Sequence, residues 1–227
     1  MYGAEFQIHP KHLADMLANA VDIGKDKTTH PLIFLAASGS TLHVYGRGRY
    51  TAGRDSRPFT GKDQFAEIVI TEDEASELAT ALRGLEGAGR KDTTITVTMT
   101  ERGKLAVQSG EDTLCDLPDA DTNQVSFGMP DEMSDWEEID LLLNDFRTRR
   151  PPEITRFAFQ KDILARMNKI RADSNVMDIA LHPTGHAVGI ALGSNFRALI
   201  AGVDRQSFAT GGKWGEGPGT PEQLWEA

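Results

Sequence analysis

Ile68-Val69-Ile70-Thr71-Glu72-Asp73-Glu74-Ala75-Ser76-Glu77-Leu78-Ala79-Thr80-Ala81-Leu82-Arg83-Gly84-Leu85 is the stretch whose reading decides the fold. Three β-forming residues run into Thr71 and Glu74, which have the spacing of a capping box, where each side chain satisfies a free backbone amide of the other. Behind that box Ala75, Leu78, Ala79, Leu82 and Leu85 recur at helical spacing. Gly84, Gly87 and Gly89 are placed to close the helix. Then Ile95, Val97 and Met99 alternate with threonines, Glu101-Arg102-Gly103-Lys104 turns, and Leu105 and Val107 alternate again. A further turn at Gly110-Glu111-Asp112 precedes Thr113 to Leu117. A strand, an amphipathic helix and then alternating strands thus fill Phe65 to Pro118.

The same order occurs on both sides of this unit. Glu5 to about Thr60 opens with a strand and a helix with Leu13, Met16, Leu17, Ala20 and Val21 on one stripe. Pro10 suits its first turn, Gly24 its end, and Lys11, His12, Asp15, Asn19 and Asp22 are expected on the polar side. Pro31 to Ala36, the turn Ser38-Gly39-Ser40 and Leu42-His43-Val44-Tyr45 read as a hairpin with one face buried. The third unit runs from Ile154 to Val203. Its helix carries Ile163, Leu164, Met167 and Ile170 on one side, then Val176 to Leu181 and Ala187 to Leu192 form a hairpin, and Phe196 to Val203 is the last strand. A unit met three times predicts one architecture built by duplication.

The division that follows is a first domain over 1–118, a connector over 119–152, a shortened second domain over 153–203 and a mobile tail over 204–227. Within the connector Trp136, Ile139, Leu142, Leu143 and Phe146 predict a helix over Asp135 to Phe146, ended by Pro151-Pro152. The tail is rich in glycine and proline through Thr220.

Composition limits the function. Hydrophobic residues at 39% and charged residues at 26% are those of a globular chain with a core. No apolar run approaches the roughly 20 residues a membrane helix needs, and Met1-Tyr2-Gly3-Ala4-Glu5 is unlike a signal peptide, so a cytoplasmic location is expected. The single cysteine, Cys115, excludes an internal disulfide and reads as a buried strand thiol. The formal net charge of −10 argues against an ordinary DNA-binding domain, because phosphate neutralisation carries most of such affinity. It leaves open a chain held on DNA by topology.

Four features of Glu5 to Asp55 carry a resemblance: the strand-helix start, Pro31 before the first long strand, the hairpin to Leu42-His43-Val44-Tyr45, and Arg49-Tyr50 on the next strand. With the ending Leu114-Cys115-Asp116-Leu117-Pro118-Asp119-Ala120-Asp121 and the final Phe196-Arg197-Ala198-Leu199-Ile200-Ala201-Gly202-Val203, the chain resembles the DNA sliding clamps, in particular the beta subunit of bacterial DNA polymerase III. The likeness is good over 1–121 and moderate over 153–203. It implies an α+β DNA clamp fold, repeated strand-helix-strand units with helices on one face of antiparallel sheets, assembled as a ring with the helices lining the hole. Two domains per chain imply a homotrimer joined head to tail. The implied partners are double-stranded DNA, a DNA polymerase and a clamp loader in a bacterial or phage replication system, with no cofactor, metal or membrane.

The same resemblance selects the site residues. Lys161, Arg166, Lys169 and Arg171 of the third helix are the leading DNA-backbone candidates, with Arg83 and Lys11 as weaker ones. Taken alone they read more readily as a solvated helix face; the resemblance brings the two readings level. Leu199, Ala201 and Val203 would line a pocket for partner peptides, although core alternation explains them without a pocket. Ala201 and Gly202 stand where relatives commonly carry methionine and proline. Gln223-Leu224-Trp225 is similar to peptides that clamps bind, on three residues only. In Gly46 to Arg57 four arginines gather without the GxxxxGK[ST] pattern of a nucleotide loop; a strand with arginines alternating outward is expected. His182 and His186 flank a turn, His9 and His12 frame a helix start, and no GxSxG or HExxH motif is present, so the chain reads as a non-enzyme. A non-encircling adaptor or decoy for replication proteins is the alternative, followed by an unrelated α+β enzyme.

Overall fold

The computed structural model describes residues 3–25, 32–48, 51–62, 64–87, 94–100, 104–118, 140, 143, 161–181 and 187–201. The elements of the first unit are β1 (Ala4–Ile8), α1 (Pro10–Gly24), β2 (Leu32–Gly39), β3 (Thr41–Arg47), β4 (Thr51–Pro58) and the short β5 (Thr60–Gly61). The second has β6 (Gln64–Thr71), α2 (Glu72–Gly87), β7 (Ile95–Thr100), β8 (Lys104–Ser109) and β9 (Asp112–Pro118). The third has α3 (Lys161–Met167), β10 (Met177–Leu181), β11 (Ala187–Leu192) and β12 (Phe196–Ala201).

Local chemistry sets these boundaries. At α2 the Thr71 amide and hydroxyl both donate to Glu74 Oε2 at 2.8 Å, and the Glu74 amide donates to Thr71 Oγ1 at 3.3 Å, as the capping box requires. At α1 the ring of His9 accepts from the Lys11 amide at 3.2 Å, with Pro10 in the first turn. Gly39 and Gly110 turn their hairpins at φ 59° and 63°, where a side chain would be strained. Gly84 was expected to close α2 but lies within it; the helix ends at Gly87.

All described strand pairs are antiparallel, in two sheets ordered β5-β1-β7-β8-β9 and β10-β11-β12-β4-β3-β2-β6. The second sheet crosses from the first unit into the third through β4 and β12, from Phe196 opposite Asp55 to Ile200 opposite Thr51. The third unit therefore continues a sheet of the first unit.

One core lies between the sheets and the α1–α2 pair, with Phe6, Leu13, Leu17, Ile33, Leu78, Leu82, Val97 and Val107 within it. A second core packs α3 on β11 and β12: Ile163, Met167, Val188, Ile190, Phe196 and Ile200, joined by Ile23 from α1. Gly46 permits the close seat of α1, since a Cβ there would stand 2.0 Å from the Ala20 carbonyl oxygen.

Several expectations are corrected. The β2–β3 hairpin is buried on both faces, because Tyr45 and Ala36 pack under Leu143 of the connector. Asn19 is not on a solvated side of α1 but fully buried. The third helix stops at Met167, so Lys169 and Arg171 lie beyond it, and Leu164 is exposed rather than in its buried stripe. The chain turns there because Ile170 folds back onto the core while Asn19 holds the backbone of residue 171. Of the connector helix expected over 135–146, Asp140 and Leu143 are described and both are helical. The rest of 119–152, the strand expected at 154–159, the turn at 182–186 and the tail lie outside the described residues.

Candidate nucleic-acid and partner faces

The helices share one layer in the order α2-α1-α3: α1 packs along α2 on one flank and touches α3 on the other. The candidate cations are carried on this layer. Lys11 is exposed at the start of α1, Arg83 on α2 and Lys169 after α3. Lys161 is the first residue of α3; its side chain is not among those described. Arg166 pairs with Asp162 one turn back at 3.2 Å. Arg171 reaches toward α1, where Asp15 and Asp22 stand 3.7 Å and 3.8 Å away. Two of the four α3-region cations thus have carboxylates beside them. On α2 the acids Glu72, Asp73 and Glu74 occupy the first turn, where the helix dipole favours them.

Beneath the layer lies a polar joint that sequence reading missed. Asp55 on β4 is buried and accepts from Asn19 of α1 and Asn195 before β12, each at 2.8 Å, and from Arg57 at 3.2 Å. Asn195 Oδ1 accepts from the Asp173 amide, and Asp173 accepts from the Ser194 amide and hydroxyl. Asn19 also clamps residue 171, donating to its carbonyl and accepting from its amide at 2.8 Å each. Burial drives the Asp55 carboxyl above its ordinary range, and these donors pull it partly back. Hydrogen bonds from Ser194 hold the exposed Asp173 carboxyl below its usual value. The one available signal was an aspartate inside a run of arginines.

Of those arginines, Arg47, Arg54 and Arg57 do not simply alternate outward, and Arg49 lies outside the described residues. Arg47 is buried, Arg57 faces Asp55, and Arg54 on the other side of β4 pairs with Asp140. Tyr45 donates its hydroxyl to the same carboxylate at 3.2 Å, and burial raises its pKa. His43 meets the Ser56 hydroxyl at 2.8 Å, and burial together with Arg54 lowers its pKa. The outer sheet face is therefore occupied rather than bare, because the connector anchors on it through Asp140 and Leu143.

This bears on the pocket candidates. Leu199 points to the outer face and is covered by Leu143, alongside Tyr45 and Ala36. Ala201 is half-buried at the end of β12, and Val203 is outside the described residues. Cys115 is half-buried on β9, with burial pushing its thiol up to about 11, which makes it a poor nucleophile. Among the described residues no group of histidine, cysteine and carboxylate side chains could hold a metal, and no helix is long and apolar enough to cross a membrane.

Antiparallel sheets under a common layer of helices, one of them running from the first unit into the third, are the architecture of the sliding-clamp fold, and this chain has it. It is similar to the DNA polymerase III subunit beta from Pseudomonas aeruginosa, with a TM-score of 0.59 and 14% identity over 88% of this chain and 65% of that one. The DNA polymerase sliding clamp from Caulobacter crescentus matches with a TM-score of 0.62 and 12% identity over 97% of this chain and 67% of that one. The beta subunit from Thermotoga maritima matches at 0.59 and 9% identity, over 88% and 64%. The chain thus spans about two thirds of the length of these clamps. No family model and no curated protein matches it by sequence.

Proposed function

We propose that this chain is a sliding-clamp-type processivity factor that encircles duplex DNA and tethers a DNA polymerase, working with a clamp loader in the cytoplasm of a bacterial or phage-infected cell. The observation that carries this reading is the helix layer α2-α1-α3, laid across one side of sheets that run from the first unit into the third. The role is mechanical, with no catalytic step. A ring holds DNA by topology, so it tolerates a chain whose net charge is −10. Lys11, Arg83, Lys161, Arg166 and Lys169 supply the phosphate contacts, while Arg171 is partly neutralised by Asp15 and Asp22. Three chains head to tail form the proposed ring. The outer face at Leu199, Ala201 and Val203 takes partner peptides once Leu143 moves aside.

A non-encircling adaptor for replication proteins is the second reading, favoured by the acids on α1 and α2 and the carboxylates beside Arg166 and Arg171. Retention on DNA separates the two. A ring loaded on a closed circle stays bound in high salt and is lost when the circle is cut; an adaptor shows no difference between circle and linear DNA. The double variant Arg166→Ala/Lys169→Ala should flatten the salt dependence of loading by about one to two phosphate contacts. Unchanged loading would remove α3 from the contact face.

A further inference from the structure

The outer face of the seven-stranded sheet carries an apolar cluster separate from the two cores. Its floor crosses β2, β3, β4 and β12: Ala36, Tyr45, Ala52 and Leu199, with Leu199 standing opposite Ala52. Arg54 lies beside this floor, opposite Tyr45. Two residues of the connector close it from above. Leu143 packs with Ala36, Tyr45 and Leu199. Asp140, three positions earlier and so on the same side of the helix, meets Arg54 and the Tyr45 hydroxyl.

The apolar and polar halves of this contact are unequal. Leu143 is 6% exposed and seals the floor, whereas the ion pair is incomplete. Asp140 Oδ1 accepts from both Arg54 Nη1 and the Tyr45 hydroxyl. The buried Nε of Arg54 has no acceptor among the described residues. A guanidinium is a planar fork, and its strongest pairing is with both oxygens of one carboxylate. Asp140 uses one oxygen and one end of that fork. A buried donor left unpaired costs free energy, so a carboxylate that takes the Nε side competes well for Arg54. A segment held by one apolar side chain and one half-used ion pair opens locally before either core does.

We propose that Asp140 and Leu143 form a latch, an autoinhibitory contact through which the chain covers its own outer face until a partner segment takes Arg54 from Asp140. The opener has a defined chemistry: a carboxylate for the unpaired side of Arg54 and an apolar side chain for the floor at Leu199. Those are the two groups the connector itself supplies. That a partner then uses Leu199 rests on the tethering reading; the latch does not.

Thiol protection in the full chain, in a Cys115→Ser background, tests the latch. With Leu199→Cys as reporter, the rate of maleimide labelling reads exposure of the floor. Leu82→Cys, in the first core, reads general loosening. Asp140→Ala should raise labelling at 199 by about tenfold or more and leave that at 82 within about twofold, since the opening is local. Arg54→Met should do the same, and the two together no more than either alone, because both break one pairing. In an Asp140→Ala/Leu143→Ala chain, an acetylated peptide with the sequence of Asp135 to Arg147 should restore protection at 199. It is added at about 1 mM, the effective concentration of a short tether. The same peptide with alanine at both positions should not protect. Unchanged labelling at 199 in Asp140→Ala, an equal rise at 82, or a peptide effect that is absent or independent of its aspartate and leucine would each overturn the latch. Retention on closed circular DNA is read separately, so the latch and the tethering reading fail independently.

Discussion

The second and third units share one order of elements and differ in what lies beside them. In the second, the inward residues of β7, Ile95, Val97 and Met99, are at most 1% exposed, because β1 pairs with β7 and α1 lies along α2. In the third, Ile179 on the end strand β10 is 63% exposed, and among the described helices α3 touches α1. The lesson is that this unit is half of a building block. A strand-helix-strand unit buries its apolar face only when another unit covers its flank; the first unit does this for the second, and it reaches the third through the β4–β12 pairing, Ile23 and the polar joint at Asn19 and Asp55.

The contrast can be broken most directly by matched truncations. Ile95→Ala should cost about 2–5 kcal/mol in urea unfolding, the range for a buried aliphatic side chain. Ile179→Ala should stay within about 0.5 kcal/mol, since the side chain is exposed. Equal losses would mean that the flank of β10 is covered.

The joint between the first and third units is the next target. Asp55→Asn leaves donors facing a donor in a buried site and should cost about 1–3 kcal/mol. The sign of its pH dependence follows from the raised pKa. The folded state holds the Asp55 proton more tightly than the unfolded chain, so the parent loses stability as pH rises from the ordinary value of 3.8 through the raised one. Asp55→Asn should lack that loss. A stability difference between the two proteins that is flat across this window would show that Asp55 is not the buried group holding the units together.

The smallest effect sharpens the comparison inside the second unit. Thr71→Ala removes one side of the capping box and should cost about 1 kcal/mol. Glu74→Gln should retain most of it, since an amide oxygen still accepts from the Thr71 backbone. Circular dichroism on thermal unfolding reads both.

Much of this was legible from the residues. The capping box at Thr71 and Glu74, the β7–β8 alternation and the hairpin turn at Gly39 are local devices, set by neighbours within a few positions. The helix layer that carries Lys11, Arg83 and Arg166 followed from the repeated order of elements and the resemblance it supports. The candidate site was less legible, because its members act at long range. Arg171 reads as a helix cation, yet it stands against Asp15 and Asp22, about 150 positions earlier. Asn19 reads as a surface residue and is fully buried.

By itself the sequence determined the local devices and the order of the described elements, since hydrophobic period and capping act over short distances. Only the tertiary structure decided that β4 takes β12 as its neighbour, that Asp140 and Leu143 cover the outer face over Leu199, and that β10 has β11 as its one neighbour among the described strands. Those outcomes depend on which distant segment fills each edge and flank. A strand's alternation says which side is apolar, but not what will come to cover it.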